Sequence, residues 1–482
     1  MNPTVLISLF VFIAIIFIVG LWSSRNVNRK ESTFLQEYFL GSRELGGFIL
    51  AMTMVATYGS ASSFLGGPGA AYTQGLGWVL LAMSQVATGY FVLLILGKKF
   101  AIMARRYDAI TLTDFLRKRY NSKAVVILSA ISIIIFLFSA MTAQWVGGAW
   151  LIESLTGLSY TSALFVFAIA VLIYVIIGGF RAVVITDTIQ GVVMVVGTLI
   201  ILVGTIIAGG GISNIMNDLV TENPNLITPF GHDGGLTPAY VSSFWILVGV
   251  GVVALPQVAV RAMSYKNAKA MHRSLIVGTI VVGFIMLGMH LIGVFARPIL
   301  PGIEVADQVM PLITLEVLPP WLAGIVLAAP LAAIMSTVDS LLLLVSSAVV
   351  KDVYLNYVKP DATMRRVKQV SFGVTAVLGV LVFGLALSPP DLLIWLNLFA
   401  FGGLEAAFIW PLIFGLYWQR ANKSGALASM VAGVASYILI HNFWPHPFGM
   451  HSVVLPVVLS FFAFVIGTYV TDRSRGKQQA SF

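Results

Sequence analysis

Two short stretches of this 482-residue chain carry oxygen-bearing side chains where apolar ones would be expected. The first, Met52 to Tyr72, reads MTMVATYGSASSFLGGPGAAY and crowds Thr57, Tyr58, Ser60, Ser62 and Ser63 into about a turn and a half. Gly59, Gly66, Gly67, Pro68 and Gly69 weaken the backbone ladder in the same place. Carbonyls freed at membrane depth are tolerated only where they are buried in protein or line a cavity, and interrupted helices of this kind are where secondary transporters hold their ligands. A small-residue packing face would account for the glycines but not for the hydroxyls. The second stretch, AIMSTVDS, places Ser336, Thr337, Asp339 and Ser340 on about one helical turn, with Ala333 a turn before Ser336 and Thr337 on the same face. Hydroxyls beside exposed carbonyls suit a hard monovalent cation, although serine and threonine in apolar helices commonly bond back to their own carbonyls.

An ionised side chain at the bilayer centre costs about 2.5 to 3.5 kcal/mol on insertion scales, so each embedded acid needs a reason. Asp187, in ITDTIQG, and Glu405, in GGLEAAF, each suit a gate, an ion-binding role or a partnership with a basic loop. Asp339 lies beside the hydroxyl pair and would act on a cation there. His290, in MLGMHLIGV, reads as a hydrogen-bonded core histidine.

The elements that must position these groups are membrane helices. The chain is 59% hydrophobic and 10% charged, against about 45–50% and 25% in soluble domains, so it reads as a polytopic membrane protein. Apolar runs of about 20 residues give thirteen spans, near 5–22, 46–72, 76–97, 124–152, 159–178, 186–208, 239–260, 274–297, 320–350, 368–388, 391–418, 425–441 and 452–471. The first lacks a basic leader and reads as an uncleaved helix. On this division 27 of the 28 lysines and arginines fall on one side and only Arg297 on the other. By the positive-inside rule the N-terminus is then outside and the C-terminus cytoplasmic. The same rule explains the net charge of +9 without a nucleic-acid partner. The basic segment 98–123 is amphipathic and suits either an anionic leaflet or a position under the bundle.

A second interruption is expected five spans after the first, in SFWILVGVGVVALPQVAVR (243–261), where Gly249, Gly251 and Pro256 supply the break and Gln257 follows it. Groups that could face a solute at the two breaks are Tyr58, Ser60, Ser63, Gln144, Trp145, Trp245 and Gln257. With no cysteine, disulfides, thiolate metal sites and cysteine catalysis are excluded. No phosphate-binding loop is present and no soluble segment is long enough for an ATPase. An integral membrane enzyme would need paired acids, a histidine cluster or an activated nucleophile, and the sequence offers none.

The runs YVIIGGFRAVVITDTIQG (174–191) and GLYWQRANKSGALASMVAG (415–433) resemble the signatures of the sodium:solute symporter family, and the similarity extends nearly end to end. The resemblance implies an all-α LeuT-type fold of two inverted five-helix repeats, preceded by one helix and followed by two. The divisions would be 1–45 for the extra helix and cytoplasmic linker, 46–208 for the first repeat, 209–238 for an outer loop, 239–418 for the second repeat and 419–482 for the last two helices and tail. It also implies a sodium site made by the carbonyls of Ala56, Gly59 and Ala333 with the hydroxyls of Ser336 and Thr337. Asp187 matches a family acid tied to a further cation position or the inner gate, whereas Asp339 departs from relatives that are usually uncharged there. The implied activity is sodium-coupled uptake of pantothenate through the bacterial inner membrane, with sodium as coupling ion and no other cofactor. A different cargo (an amino acid, a monocarboxylate or a sugar) and proton coupling are the alternatives.

Overall fold

The computed structural model describes residues 3–25 and 45–479, so most of the linker expected at 23–45 lies outside it, as does the end of the tail. The described residues are helical and contain no β-strand. The first helix, α1 (Pro3–Arg25), turns Ile7, Phe10 and Ile18 outward, as a lipid-facing helix does. Then comes α2 (Gly47–Tyr58), which ends at Gly59 with φ/ψ of −64°/123°. After Ser60 the chain re-enters helix through a π-turn over Ser62–Gly66 and continues as α3 (Gly67–Gln74). Both halves of this broken helix pack on α11 (Ala268–Ile299).

Next are α4 (Leu76–Arg106), α5 (Leu112–Tyr120), α6 (Lys123–Thr156) and α7 (Tyr160–Ala208). A short helix, α8 (Ile212–Glu222), stands in the expected outer loop. The second break falls where the sequence places it. Helix α9 (Pro238–Ala254) loosens into a π-turn over Trp245–Val250 and a tight turn over Gly251–Ala254, Leu255 is extended, and α10 (Pro256–Met263) leaves at 51°. Proline lacks the N–H that would carry the ladder across.

The remainder comprises α12 (Val309–Val317), α13 (Pro320–Val358), α14 (Met364–Ala386), α15 (Ile394–Tyr417), α16 (Lys423–Phe443) and α17 (Val454–Gln479). Helix α13 packs against α2, α6 and α7, while α15 packs against α6 and the last turn of α9. The final pair, α16 and α17, lies together beside α15.

Length and apolarity identify nine spans among the described residues, or ten if α9 and α10 count as one. The thirteen expected from the sequence are not all separable on this criterion. The 46–72 span is broken into pieces too short to qualify, and α1 is not among the nine. The spans at 159–178 and 186–208 lie in one helix, α7, of which Thr186–Ala208 qualifies as a span and Tyr160–Leu172 is too short to do so.

The basic segment packs under the bundle rather than away from it. Thr111 caps α5 by accepting the Asp114 N–H at 2.9 Å, and α5 buries Phe115 and Leu116. Arg119 then donates to the carbonyls of Gly415, Trp418 and Ala421 at 2.7, 3.0 and 3.2 Å, satisfying the C-terminal end of α15. On the opposite side Arg297 pairs with Glu222 of α8 at 2.8 Å and donates to the Tyr72 carbonyl at 2.8 Å.

Candidate cation and solute site

The break at Gly59 is held open from two sides. From α6, Gln144 accepts the Ala61 N–H at 2.8 Å, taking up a donor that the interruption leaves without a helical partner. From α13, Ser336 donates to the Ala56 carbonyl and Thr337 to the Gly59 carbonyl, both at 2.8 Å. The same hydroxyls stand 3.1 and 2.9 Å from the Ala333 carbonyl of their own helix. Three carbonyl oxygens and two hydroxyl oxygens thus converge in a buried place with two hydroxyl protons among them. A surplus of neutral oxygens of this kind fits a hard monovalent cation, which the hydroxyls can also ligate once their protons turn away.

One turn along α13, a second network joins four helices. Arg261 of α10 pairs with Asp187 of α7 at 3.1 Å, and the same nitrogen donates to the Ser340 hydroxyl at 2.8 Å. Its Nε donates toward the Thr53 carbonyl of α2 at 3.2 Å, and the Thr53 hydroxyl donates to Asp187 at 2.7 Å. Asp187 and Arg261 are 0% and 2% exposed, so Arg261, which the span limits leave one residue outside the membrane helix, is buried inside the bundle. It is a buried ion-pair member bonded by Gln257 and Ser340 as well, while Asp187 Oδ1 is left without a hydrogen-bond partner among the described residues. The side chain of Asp339 lies outside what is described.

Above the break is a cavity of about 30 Å³. Tyr58, Ser60, Ser62 and Ser63 line one wall, and Gln85, Val248, His290, Asn397 and Phe401 are among the others. The Tyr58 hydroxyl lies 3.0 Å from Gln85 Oε1 and 3.3 Å from the Val248 carbonyl. Trp78 and Leu398 also line a wider vestibule of about 640 Å³, which reaches the 233–240 loop and the α16–α17 connection. The site is therefore approached from the side of the 209–238 loop.

At the vestibule rim, Asp307 accepts the Leu393 N–H at 2.9 Å, capping α15. Burial pushes its carboxyl up to about 7, and that N–H pulls in the opposite sense. Burial, followed by the nearby His441 and His446, pushes the His451 imidazole down to about 3. Neutral, His451 can accept the Val453 N–H at 3.3 Å.

Of the solute-facing groups expected from the sequence, Tyr58, Ser60 and Ser63 line the cavity. Gln144 instead supports the break. Trp145 is fully buried and packs edge-on against Phe167 at 6.4 Å. Trp245 is 50% exposed on the outer surface of the bundle, and Gln257 is buried in the first turn of α10, so neither reaches the cavity. Sequence reasoning missed Gln85 and Asn397, each a lone amide in an apolar run, and placed His290 in the core. The histidine does bond its own helix, with Nδ1 2.6 Å from the Met286 carbonyl, yet it also lines the cavity.

The family model of the sodium:solute symporter family matches residues 38–433. The chain belongs to this family. It is 49% identical to the sodium/pantothenate symporter of Haemophilus influenzae over 481 residues, which is 99% of both chains. Against the sodium/pantothenate symporter of Escherichia coli the identity is 49% over 469 residues, 97% of this chain and 96% of the other. Among solved structures, a Na+-coupled sialic acid symporter in a substrate-bound outward-open state superposes with a TM-score of 0.78 at 20% identity, covering 97% of each chain. The all-α LeuT-type fold expected from the sequence is the fold of such neighbours. Membership places the two breaks and the oxygen cluster in a sodium-coupled symporter of a multi-pass membrane family.

Proposed function

We propose that this chain carries pantothenate inward with sodium through the bacterial inner membrane, by alternating access, with its N-terminus outside and C-terminus in the cytoplasm. The observation that carries the reading is the convergence of the Ala56, Gly59 and Ala333 carbonyls with the Ser336 and Thr337 hydroxyls between the broken helix and α13. Sodium there joins α2 to α13, which favours the state open to the vestibule. That state binds the solute, so each ligand promotes the other. Residues 46–208 and 239–418 form the two inverted repeats, each with its break near the site.

The 30 Å³ cavity is far smaller than the several hundred Å³ typical of a ligand site, so it enlarges to admit the solute. Tyr58, Ser60 and Ser63, joined by Gln85, His290 and Asn397, offer hydroxyl, amide and imidazole groups to a molecule with one carboxylate, two hydroxyls and an amide. The Asp187–Arg261 pair acts as the inner gate or as part of a second cation position, and Asp339 tunes the cation site from its own helix. The test is uptake of radiolabelled pantothenate into proteoliposomes with and without an imposed inward sodium gradient. Accumulation that needs the gradient supports the reading, and accumulation indifferent to sodium sinks it. Failure to accumulate pantothenate, with sodium-driven uptake of another small solute, would keep the class and change the cargo.

A further inference from the structure

Glu405 is fully buried on α15, and neither of its carboxyl oxygens has a hydrogen-bond partner among the described residues. It continues the stripe of α15 that faces the central cavity: Asn397, Leu398 and Phe401 line the cavity, and Glu405 comes one turn beyond Phe401. The carboxyl presses on Gly251, where an added β-carbon would collide with it. Gly251 opens the tight turn that ends α9, and Pro256, which has no N–H, leaves that turn with spare carbonyl capacity.

No Lys, Arg or His forms an ion pair with Glu405 among the described residues. From the elements packed on α15, the ionisable groups toward it are the phenols of Tyr58, beside the first break, and Tyr437 of α16, which lies against Gly402. Arg119 of α5 is engaged at the far end of α15. A carboxyl buried without donors or counter-charge is costly to keep ionised, and its place beside a broken helix resembles the ion positions of membrane carriers.

We propose that Glu405, with backbone carbonyls at the α9–α10 break, is a second monovalent-cation position, taking sodium or a proton, separate from the oxygen cluster between α2 and α13. Its occupant neutralises the carboxylate directly beneath the solute cavity. Solute transport is then tied to one more cation than the first site supplies. This rests on the symport reading, and the measurements keep the two apart.

The experiment counts sodium bound to purified protein with ²²Na+, and follows proton uptake during pantothenate transport with a pH-sensitive dye, in wild type, Glu405→Gln and Ser336→Ala. If sodium is the occupant, Glu405→Gln binds one sodium fewer than wild type. If a proton is the occupant, both bind the same number of sodium ions and Glu405→Gln loses the proton uptake seen in wild type. Wild-type sodium count and proton movement in Glu405→Gln would overturn the proposal. Unaltered sodium binding in Ser336→Ala would instead count against the first site. Should Glu405→Gln fail to fold, Glu405→Asp decides: it retains the charge but retracts it by one methylene, so the second cation binds roughly tenfold more weakly. A wild-type affinity in that variant overturns the assignment.

Discussion

Ser336→Ala tests the cation site most directly. The hydroxyl has two neighbours to lose, the Ala56 carbonyl at 2.8 Å and the Ala333 carbonyl at 3.1 Å. Removing a polar ligand from a buried site costs on the order of 1 to 3 kcal/mol. Part of that is offset, because without the cation the same hydroxyl donates to Ala56, a bond of roughly 0.5 to 1.5 kcal/mol that the variant lacks in its cation-free state as well. The net is about 0.5 to 1.5 kcal/mol, or roughly a 2- to 13-fold rise in the sodium concentration for half-maximal pantothenate uptake. Thr337→Ala should behave alike, since its hydroxyl holds the Gly59 and Ala333 carbonyls at 2.8 and 2.9 Å. Thr337→Ser keeps the hydroxyl and should stay within about twofold of wild type. At saturating sodium the apparent pantothenate affinity of the alanine variants should recover, because the solute contacts are intact and either ligand can bias the conformational equilibrium. The assay is proteoliposome uptake over a sodium titration. Wild-type sodium dependence in both alanine variants would show that the cation does not sit between α2 and α13.

Breaking the Asp187–Arg261 pair from one side leaves a buried charge uncompensated, a loss of about 3 to 5 kcal/mol in such settings. Arg261→Met should therefore lower the thermal stability of the detergent-solubilised protein more than the double change with Asp187→Leu, and equal losses would argue against a coupled pair. Burial against α15 raises the Asp307 carboxyl from its ordinary value of 3.8 to about 7. The docked state then holds its proton more tightly than the undocked one, so docking is favoured in acid, weakens as pH rises from about 4 to about 7, and is level above that. Hydrogen exchange at 306–308, corrected for intrinsic rates, should quicken between pH 5 and pH 8 in wild type and not in Asp307→Asn; the same pH response in both would show that the Asp307 carboxyl does not set the docking of this segment on α15. A reporter after Lys123 or Lys368 should be cytoplasmic and one near Asn225 external, and a cytoplasmic Asn225 would break the orientation.

The sequence by itself determined the helical class, the two interruptions and the chemistry of the oxygen cluster, because all three are local. Long apolar stretches require internally bonded backbone in lipid, Pro256 lacks the N–H that this bonding needs and Gly59 lets the chain leave helical geometry easily, and Ser336 and Thr337 share a helix face through the helical repeat alone. Tertiary structure decided what those faces meet. Ala56 and Ser336 are 280 residues apart and touch only because α2 packs on α13. Arg261 has the composition of a loop charge, and its burial follows from Asp187, 74 residues earlier, being brought to it by α7. Trp245 shows the limit most sharply. It opens the π-turn at the second break, and nearness to a break in the sequence does not say which way a side chain turns; packing turns Trp245 out. The count of thirteen spans is not confirmed on length and apolarity for a related reason: hydropathy records how much apolar chain there is, and only packing shows where it bends, as at Leu255, or runs on, as in α7.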